Sequence, residues 1–190
     1  MSRRAAALLV AACVAILLGT CWLWRRPAPE SEEETVEPTL VAPEPESLGE
    51  TWSARLWFPA DSGRLDSAEL SVTSDATPAA RATAALAALF AARPEPPLAP
   101  VFPGPVEVHK VLFGGGILFV DLRPPDGSEP PGSGSTAELQ RVYAVVHSAL
   151  DAAPEATAVV LLWNGVQRRS LAGHVDTARP LRRFAGMEPR

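Results

Sequence analysis

The sequence predicts an α+β domain in the order β-β-α-β-β-α-β-β, with two helices packed on one face of a mostly antiparallel sheet. Three observations carry that expectation. Short segments with period-two apolar alternation recur in pairs, and two stretches with a 3.6-residue apolar period separate the pairs. Asn164-Gly165 lies between two strand-like runs. It is the strongest short hairpin signal, because both turn positions need positive φ.

Residues 52–58 read WSARLWF, placing Trp52, Ala54 and Leu56 on one strand face, and Pro59-Ala60-Asp61-Ser62-Gly63 supplies turn chemistry. A second strand follows around residues 68–73. Thr77 and Pro78 then open a helix as N-cap and first helical residue, reaching about Arg93 with Leu86, Leu89 and Phe90 inward. After a proline-studded connection at 94–105, VEVHKVLF and GILFVDL flank Gly114-Gly115-Gly116, a hairpin with slack in its turn. Strict alternation puts Val106, Val108 and Lys110 on one face, and Glu107, His109, Val111 and Phe113 on the other. Leu139, Val142, Tyr143, Val146, Ala149 and Leu150 mark the second helix, which Pro154 ends. The run ATAVVLLWNGVQRRSLAG completes the pattern as strand, turn and strand.

Residues 5–24 form an uncharged apolar run that, as a helix, spans about 30 Å, the thickness of a bilayer core. Arg3 and Arg4 flank one end, Arg25 and Arg26 the other, so basic flanks nearly tie. The acidic run that follows tips the orientation toward residues 1–4 in the cytoplasm and the rest outside. The rival reading is a lipoprotein signal, Leu18-Gly19-Thr20-Cys21, with Cys21 lipidated and Thr20 departing from the small residue expected there; a cleaved signal is the third. Residues 25–50 are rich in proline and glutamate without apolar periodicity, so they cannot bury enough surface to fold and read as a disordered spacer. The domain then runs over 51–183, with 184–190 as a tail.

Residues 27–50 hold eight Glu and no Asp, Lys or Arg, whereas from Thr51 onward 14 acids face 13 bases. A near-neutral domain without a basic stripe argues against nucleic acid as a partner. Both cysteines, Cys13 and Cys21, lie in the apolar run, which excludes an intradomain disulfide, a thiol nucleophile and a thiolate zinc site.

The glycine-rich stretch PPGSGSTAELQ runs into the second helix as phosphate loops do, but no Lys precedes Ser135 or Thr136. It reads instead as a loop through Gly134 closed by Ser135 or Thr136 as N-cap, with Glu138 complementing the helix N-terminus. His109 and His147 read as ordinary surface or boundary residues. His174 and Asp176 supply two metal ligands, too few for a site, so no metal or cofactor is expected. Ser135, His174 and either Asp121 or Asp176 lack the nucleophile elbow of a serine hydrolase. Asp121 with Glu138 is the sole carboxylate pair on offer for glycoside chemistry. No residue is assigned a catalytic role. The candidate binding residues are Asp121, Ser135, Glu138, His174 and Asp176, and the candidate turn or cap residues are Gly134, Ser135, Asn164, Gly165 and Gly173.

Several of these elements come together in a familiar order: the strand ending Val120-Asp121-Leu122, then Gly134-Ser135 with Ala137-Glu138 opening the second helix, Pro154, the strand at 159–162, and Gly165. Leu171-Ala172-Gly173-His174-Val175-Asp176 with Pro180-Leu181 closes the series. This pattern resembles the GerMN domain, the sporulation and spore germination module of bacterial envelope proteins. Leu56-Trp57-Phe58-Pro59 and the alanine-rich helix with Leu86 and Leu89 are similar to its first half, so the resemblance covers most of residues 52–183. The departures are the Pro-rich approach PPDGSEPPGSGS, Trp163-Asn164-Gly165 where an acid-Gly turn is common, and the proline-heavy loop at 94–105. The resemblance implies a small α/β domain akin to ring-building motifs, tethered outside the membrane by one helix or a lipid. It implies no established catalytic residue. The function expected is a scaffold that binds peptidoglycan or another envelope protein, with a homo-oligomer within reach; the alternatives are a cell-wall hydrolase and a periplasmic small-ligand sensor.

Overall fold

The computed structural model describes residues 49–189. The expected membrane helix at 5–24, Cys21 and nearly all of the spacer lie outside the described residues. No helix among the described residues is long and apolar enough to cross a membrane.

Two strands, β1 (Glu50–Pro59) and β2 (Leu65–Ser74), form an antiparallel hairpin, and helix α1 (Pro78–Ala91) follows it. Strands β3 (Glu107–Gly114) and β4 (Ile117–Arg123) form a second hairpin. Helix α2 (Ser135–Ala152) then crosses over to β5 (Ala158–Trp163), which pairs with β4 in parallel. Seven of the eight expected elements are thus present, but in two sheets, β1-β2 and β3-β4-β5, the second of them mixed. The parallel pairing follows from connectivity: a helical crossover returns the chain to the same end of the sheet, where a tight turn would reverse it.

The expected eighth element is not a strand. Asn164 and Gly165 do adopt positive φ, 53° and 78°, but the pairing after them stops at a single bridge between Trp163 and Val166. The position beside β5 is taken by Leu181, whose N–H and C=O both bond Val159. The tail expected at 184–190 is also part of the fold: a 3₁₀ turn at Ala185–Met187 buries Met187 in the core. At the other end β1 begins at Glu50, inside the stretch assigned to the spacer.

Local chemistry accounts for the helix starts. Thr77 caps α1, its Oγ1 accepting the Ala80 N–H at 3.2 Å, and Pro78 follows at the first helical position, as expected. Helix α2 departs from expectation. Its N-cap is Gly134, and no side chain caps it, because Ser135 and Thr136 already lie inside the helix. The β3–β4 turn has only two residues, Gly115 and Gly116, both at positive φ (58° and 75°), so Gly114 ends β3 as a paired residue.

The face assignment in β3 also changes. A bulge between Val108 and Lys110 inserts His109 without a partner, so Val108 and Val111 pair with Leu122 and Val120 on the inner face. An uninterrupted strand would have set them on opposite faces. The core fills the space between the helices, the first hairpin and this inner face. It contains Leu56, Phe58, Leu86, Leu89, Leu118, Val120, Leu122, Val142, Val159, Leu161 and Trp163.

Three rows of paired residues cross the outer face of the second sheet: Lys110, Asp121 and Leu162; Leu112, Phe119 and Val160; Gly114, Ile117 and Ala158. Leu112 is 52% exposed and Phe119 39%, whereas Val160 (6%) and Ala158 (3%), at the β5 end of two of these rows, are buried.

Helix α2 lies along β1 and meets its unpaired edge. The Trp57 N–H donates to the fully buried Ser148 Oγ at 2.9 Å, and Trp57 Nε1 donates to Asp151 at 2.7 Å. Gln140 Nε2 donates to the carbonyls of Ala60 and Arg64, both at 2.8 Å, clamping the turn of the first hairpin. Replacing Ser148 with Ala leaves a buried N–H without a partner, so Ser148→Ala is expected to cost about 1–3 kcal/mol in chemical denaturation followed by tryptophan fluorescence.

Candidate functional site

Glu138 lies in the first turn of α2 and is 1% exposed. A carboxylate in that position needs hydrogen-bond donors, because burying it unpaired costs far more than a domain can spare. Residues 170–174 supply them. Oε1 accepts from Ser170 Oγ (2.6 Å), Leu171 N (3.0 Å) and Ala172 N (2.7 Å). Oε2 accepts from His174 N (2.7 Å) and His174 Nδ1 (3.1 Å). Ser170 Oγ in turn accepts from Gly173 N at 2.7 Å, tightening the loop around the carboxylate, and Gly173 has φ +99°, which other residues rarely adopt. Burial pushes the carboxyl pKa up, but the hydrogen bonds from Ser170, Ala172 and His174 outweigh it and hold the group below its usual range. Glu138 is therefore ionised and saturated with donors. It cannot serve as a general base without dismantling its own loop.

The other candidates are similarly committed. Asp121 accepts the Gly165 N–H at 2.7 Å and lies 3.7 Å from Arg123, so it braces the Asn164-Gly165 turn from β4. Asp176 accepts the Ala178 N–H at 3.0 Å, a local turn contact. Ser135 is exposed at the start of α2 and caps nothing. Asn164 donates to the carbonyls of Gly127 and Ser128, tying the proline-rich approach of α2 to the end of β5. The structure thus brings Glu138, Gly173 and His174 together in one place, and Asp121, Asn164 and Gly165 in another. Ser135 and Asp176 join neither. No group of three or more potential metal ligands converges among the described residues.

His147 was expected at the surface or boundary and is instead fully buried. The α2 period places it one turn beyond Tyr143, on a side that the C-terminal segment covers. Its Nε2 accepts the Phe184 N–H at 3.1 Å, which puts the proton on Nδ1, and its ring meets the edges of Trp57 and Tyr143. Burial, together with the nearby Arg183 guanidinium, lowers its pKa to about 4, although Glu188 and Asp151 pull the other way. Sequence periodicity alone could not reveal this role, since the covering residues come 37 positions later.

A cleft of about 460 Å³ opens where Phe102, Pro105, Val106, Pro124, Pro131 and Trp163 meet. Trp163 Nε1 is bound to the Ser128 carbonyl at 2.8 Å, and Glu129 pairs with Arg168. The cleft is apolar, and its polar groups are turned to its own walls.

The family profile described as "Germane: Sporulation and spore germination" matches residues 55–169, ending just before the loop that binds Glu138. No curated protein matches the chain. Among solved structures, the first GerMN domain of the sporulation protein GerM from Bacillus subtilis is similar at 17% identity and a TM-score of 0.55, covering 70% of this chain and 98% of that one. The tandem GerMN domains of the same protein align at 13% identity and a TM-score of 0.50, over 80% of this chain and 51% of that one. A candidate lipoprotein from Clostridium perfringens aligns at 15% identity and a TM-score of 0.50, over 70% of this chain and 87% of that one. At these identities the likeness is one of fold.

Two expected outcomes follow from the buried groups. Glu138→Gln removes the charge that five donors surround, and thermal or urea unfolding is expected to show a loss of about 2–4 kcal/mol. The pH dependence has a definite sign. His147 has a folded pKa of about 4 against an ordinary 6.5, so its contribution is complete above pH 6.5 and lost as pH falls toward 4. The lowered Glu138 pKa acts in the same sense, with its contribution present above the ordinary 4.5 and lost as pH falls through the folded value. Unfolding midpoints of the wild type should therefore decline below pH 6.5, and His147→Gln should flatten that decline between pH 6.5 and 4.

Proposed function

The chain belongs to the Germane family of sporulation and spore germination domains, and from that premise we propose that it is a non-enzymatic, membrane-tethered module of the bacterial cell envelope, a scaffold that binds an envelope protein or peptidoglycan. The observation that carries this reading is the state of Glu138. Among the described residues it is the one fully buried acid beside a histidine, and all of its capacity is spent holding residues 170–174. Asp121 is likewise engaged by the Gly165 N–H. Acid–base hydrolysis needs a group free to take and return a proton, and Glu138, with both oxygens filled by donors, is not one. Binding needs only exposed surface of suitable chemistry, which Leu112 and Phe119 offer on the β3-β4 part of the outer face.

The tether rests on the uncharged run at 5–24, with the spacer at 25–50 giving reach away from the bilayer. The fold likeness to a candidate lipoprotein agrees with a position outside the cytoplasm. Lipidation at Cys21 leads to the same side of the membrane.

The full chain in detergent micelles, mixed with isolated sacculi, tests wall binding and hydrolysis together, and photo-crosslinking in cells tests protein partners. The expected result is pelleting or a discrete crosslinked species, with no soluble wall fragments. Fragment release that Asp121→Asn or His174→Ala abolishes would overturn the scaffold in favour of a hydrolase.

A further inference from the structure

Each sheet has two edges, and three of the four are closed or polar. The β1 edge donates to Ser148 of α2, and the β5 edge is bonded in both directions to Leu181. The β2 edge exposes Asp66, Ser67, Glu69, Ser71 and Thr73, the polar dress that protects a strand from stray pairing. Strand β3 differs. It pairs only with β4, and among the described residues no other backbone or side-chain hydrogen bond reaches residues 107–114. The bulge at His109 and the charge of Lys110 guard its first half. Its second half, Val111-Leu112-Phe113-Gly114, carries exposed Leu112 and Phe113 and has no such guard.

The outer face continues the same chemistry inward from that edge. Leu112 and Phe119 are the exposed part of one cross-strand row whose third member, Val160, is buried, and Lys110 stands beside it, exposed and without an ionic partner among the described residues. The size of this patch selects its occupant. Leu112 at 52% and Phe119 at 39% exposure offer roughly 200 Å² of apolar surface together. A stable protein–protein interface needs about 800 Å² per partner. One added strand needs far less, since main-chain bonds along the edge supply much of the binding.

We propose that β3 is a docking edge for an extended segment of a protein partner, which adds to the three-stranded sheet as a fourth strand beside residues 110–114. Its side chains alternate, so the one opposite Leu112 is apolar and the one opposite Lys110, two positions away, is acidic. This rests on the scaffold reading and narrows it to a protein partner engaged through an acidic-x-apolar strand.

The test uses the full chain in nanodiscs and two blocked hexapeptides, Thr-Glu-Thr-Ile-Thr-Val and the same residues in reverse order, so that both strand directions are sampled. Saturable shifts in the amide signals of residues 110–114 are expected for one of them. Leu112→Lys and Phe119→Lys, both exposed and so expected to keep the wild-type melting temperature, should weaken binding about tenfold each. N-methylation separates edge addition from mere apolar contact. Methyl groups on one alternate set of peptide nitrogens should abolish binding, and on the other set be tolerated, because successive N–H groups point to opposite edges of a strand. No saturable shift in residues 110–114, or binding indifferent to both methylated sets, overturns the proposal. If that happens while crosslinks in cells persist from other surfaces, the scaffold reading stands without this edge; if no crosslink and no sacculus binding is found, both fall.

Discussion

The rest of the domain depends on one buried charge. Glu138 is placed by the first turn of α2, and its two oxygens receive five donors from a loop that has no regular structure of its own. Four of those contacts come from residues 170–172 and the backbone of His174, so the loop is shaped by the carboxylate it surrounds. Under the cover of that loop the arrangement is all or nothing. A full set of donors stabilises the ion, and a partial set leaves an expensive charge in a low-dielectric site.

The same logic runs down the helix. Glu138 and His147 hold the C-terminal segment, while Gln140 and Ser148 hold the first hairpin, and every one of them is buried. A helix with an apolar stripe alone could slide or rotate against its neighbours at little cost. One whose buried face carries four polar groups, each with an assigned backbone partner, has a single satisfactory position. Apolar packing supplies the bulk of the burial, and the polar contacts choose among the packings that would bury a similar area.

This also explains what was legible in the sequence. The Thr77-Pro78 helix start, the glycine turn of the second hairpin and the positive-φ Asn164-Gly165 pair act within a few residues, and their local chemistry shows in the residue types themselves. The eighth strand was misread because its turn is real, but the chain beyond it is recruited by Glu138 and by Val159. His147 was misjudged for a related reason: its cover arrives from residues 183–188, and helical period carries no record of that. The bulge at His109 left no signal beyond a strand whose apolar residues fall out of step. Of the candidate site, Glu138 and His174 stand out in the sequence as binding candidates and Gly173 as a turn residue, but nothing local joins the three in one place. Their role, a closed structural knot, required knowing which backbone N–H groups face the carboxylate.

The sequence distances across α2 bear on how the domain is made. Trp57 meets Asp151 across 94 residues, and Ala60 meets Gln140 across 80, so the hairpin synthesised first waits for a helix near the end. Further partners of that helix come later still, 32 residues after Glu138 and 37 after His147. The two hairpins can therefore form early, but the contacts that join them to α2 and close the domain wait for residues 170–188, because distant pairings cost loop entropy before they stabilise anything. A growing chain that has reached Arg169 possesses every strand and both helices, yet lacks the donors for Glu138. Until those residues emerge, the domain is a set of elements without the contact that commits them to one another.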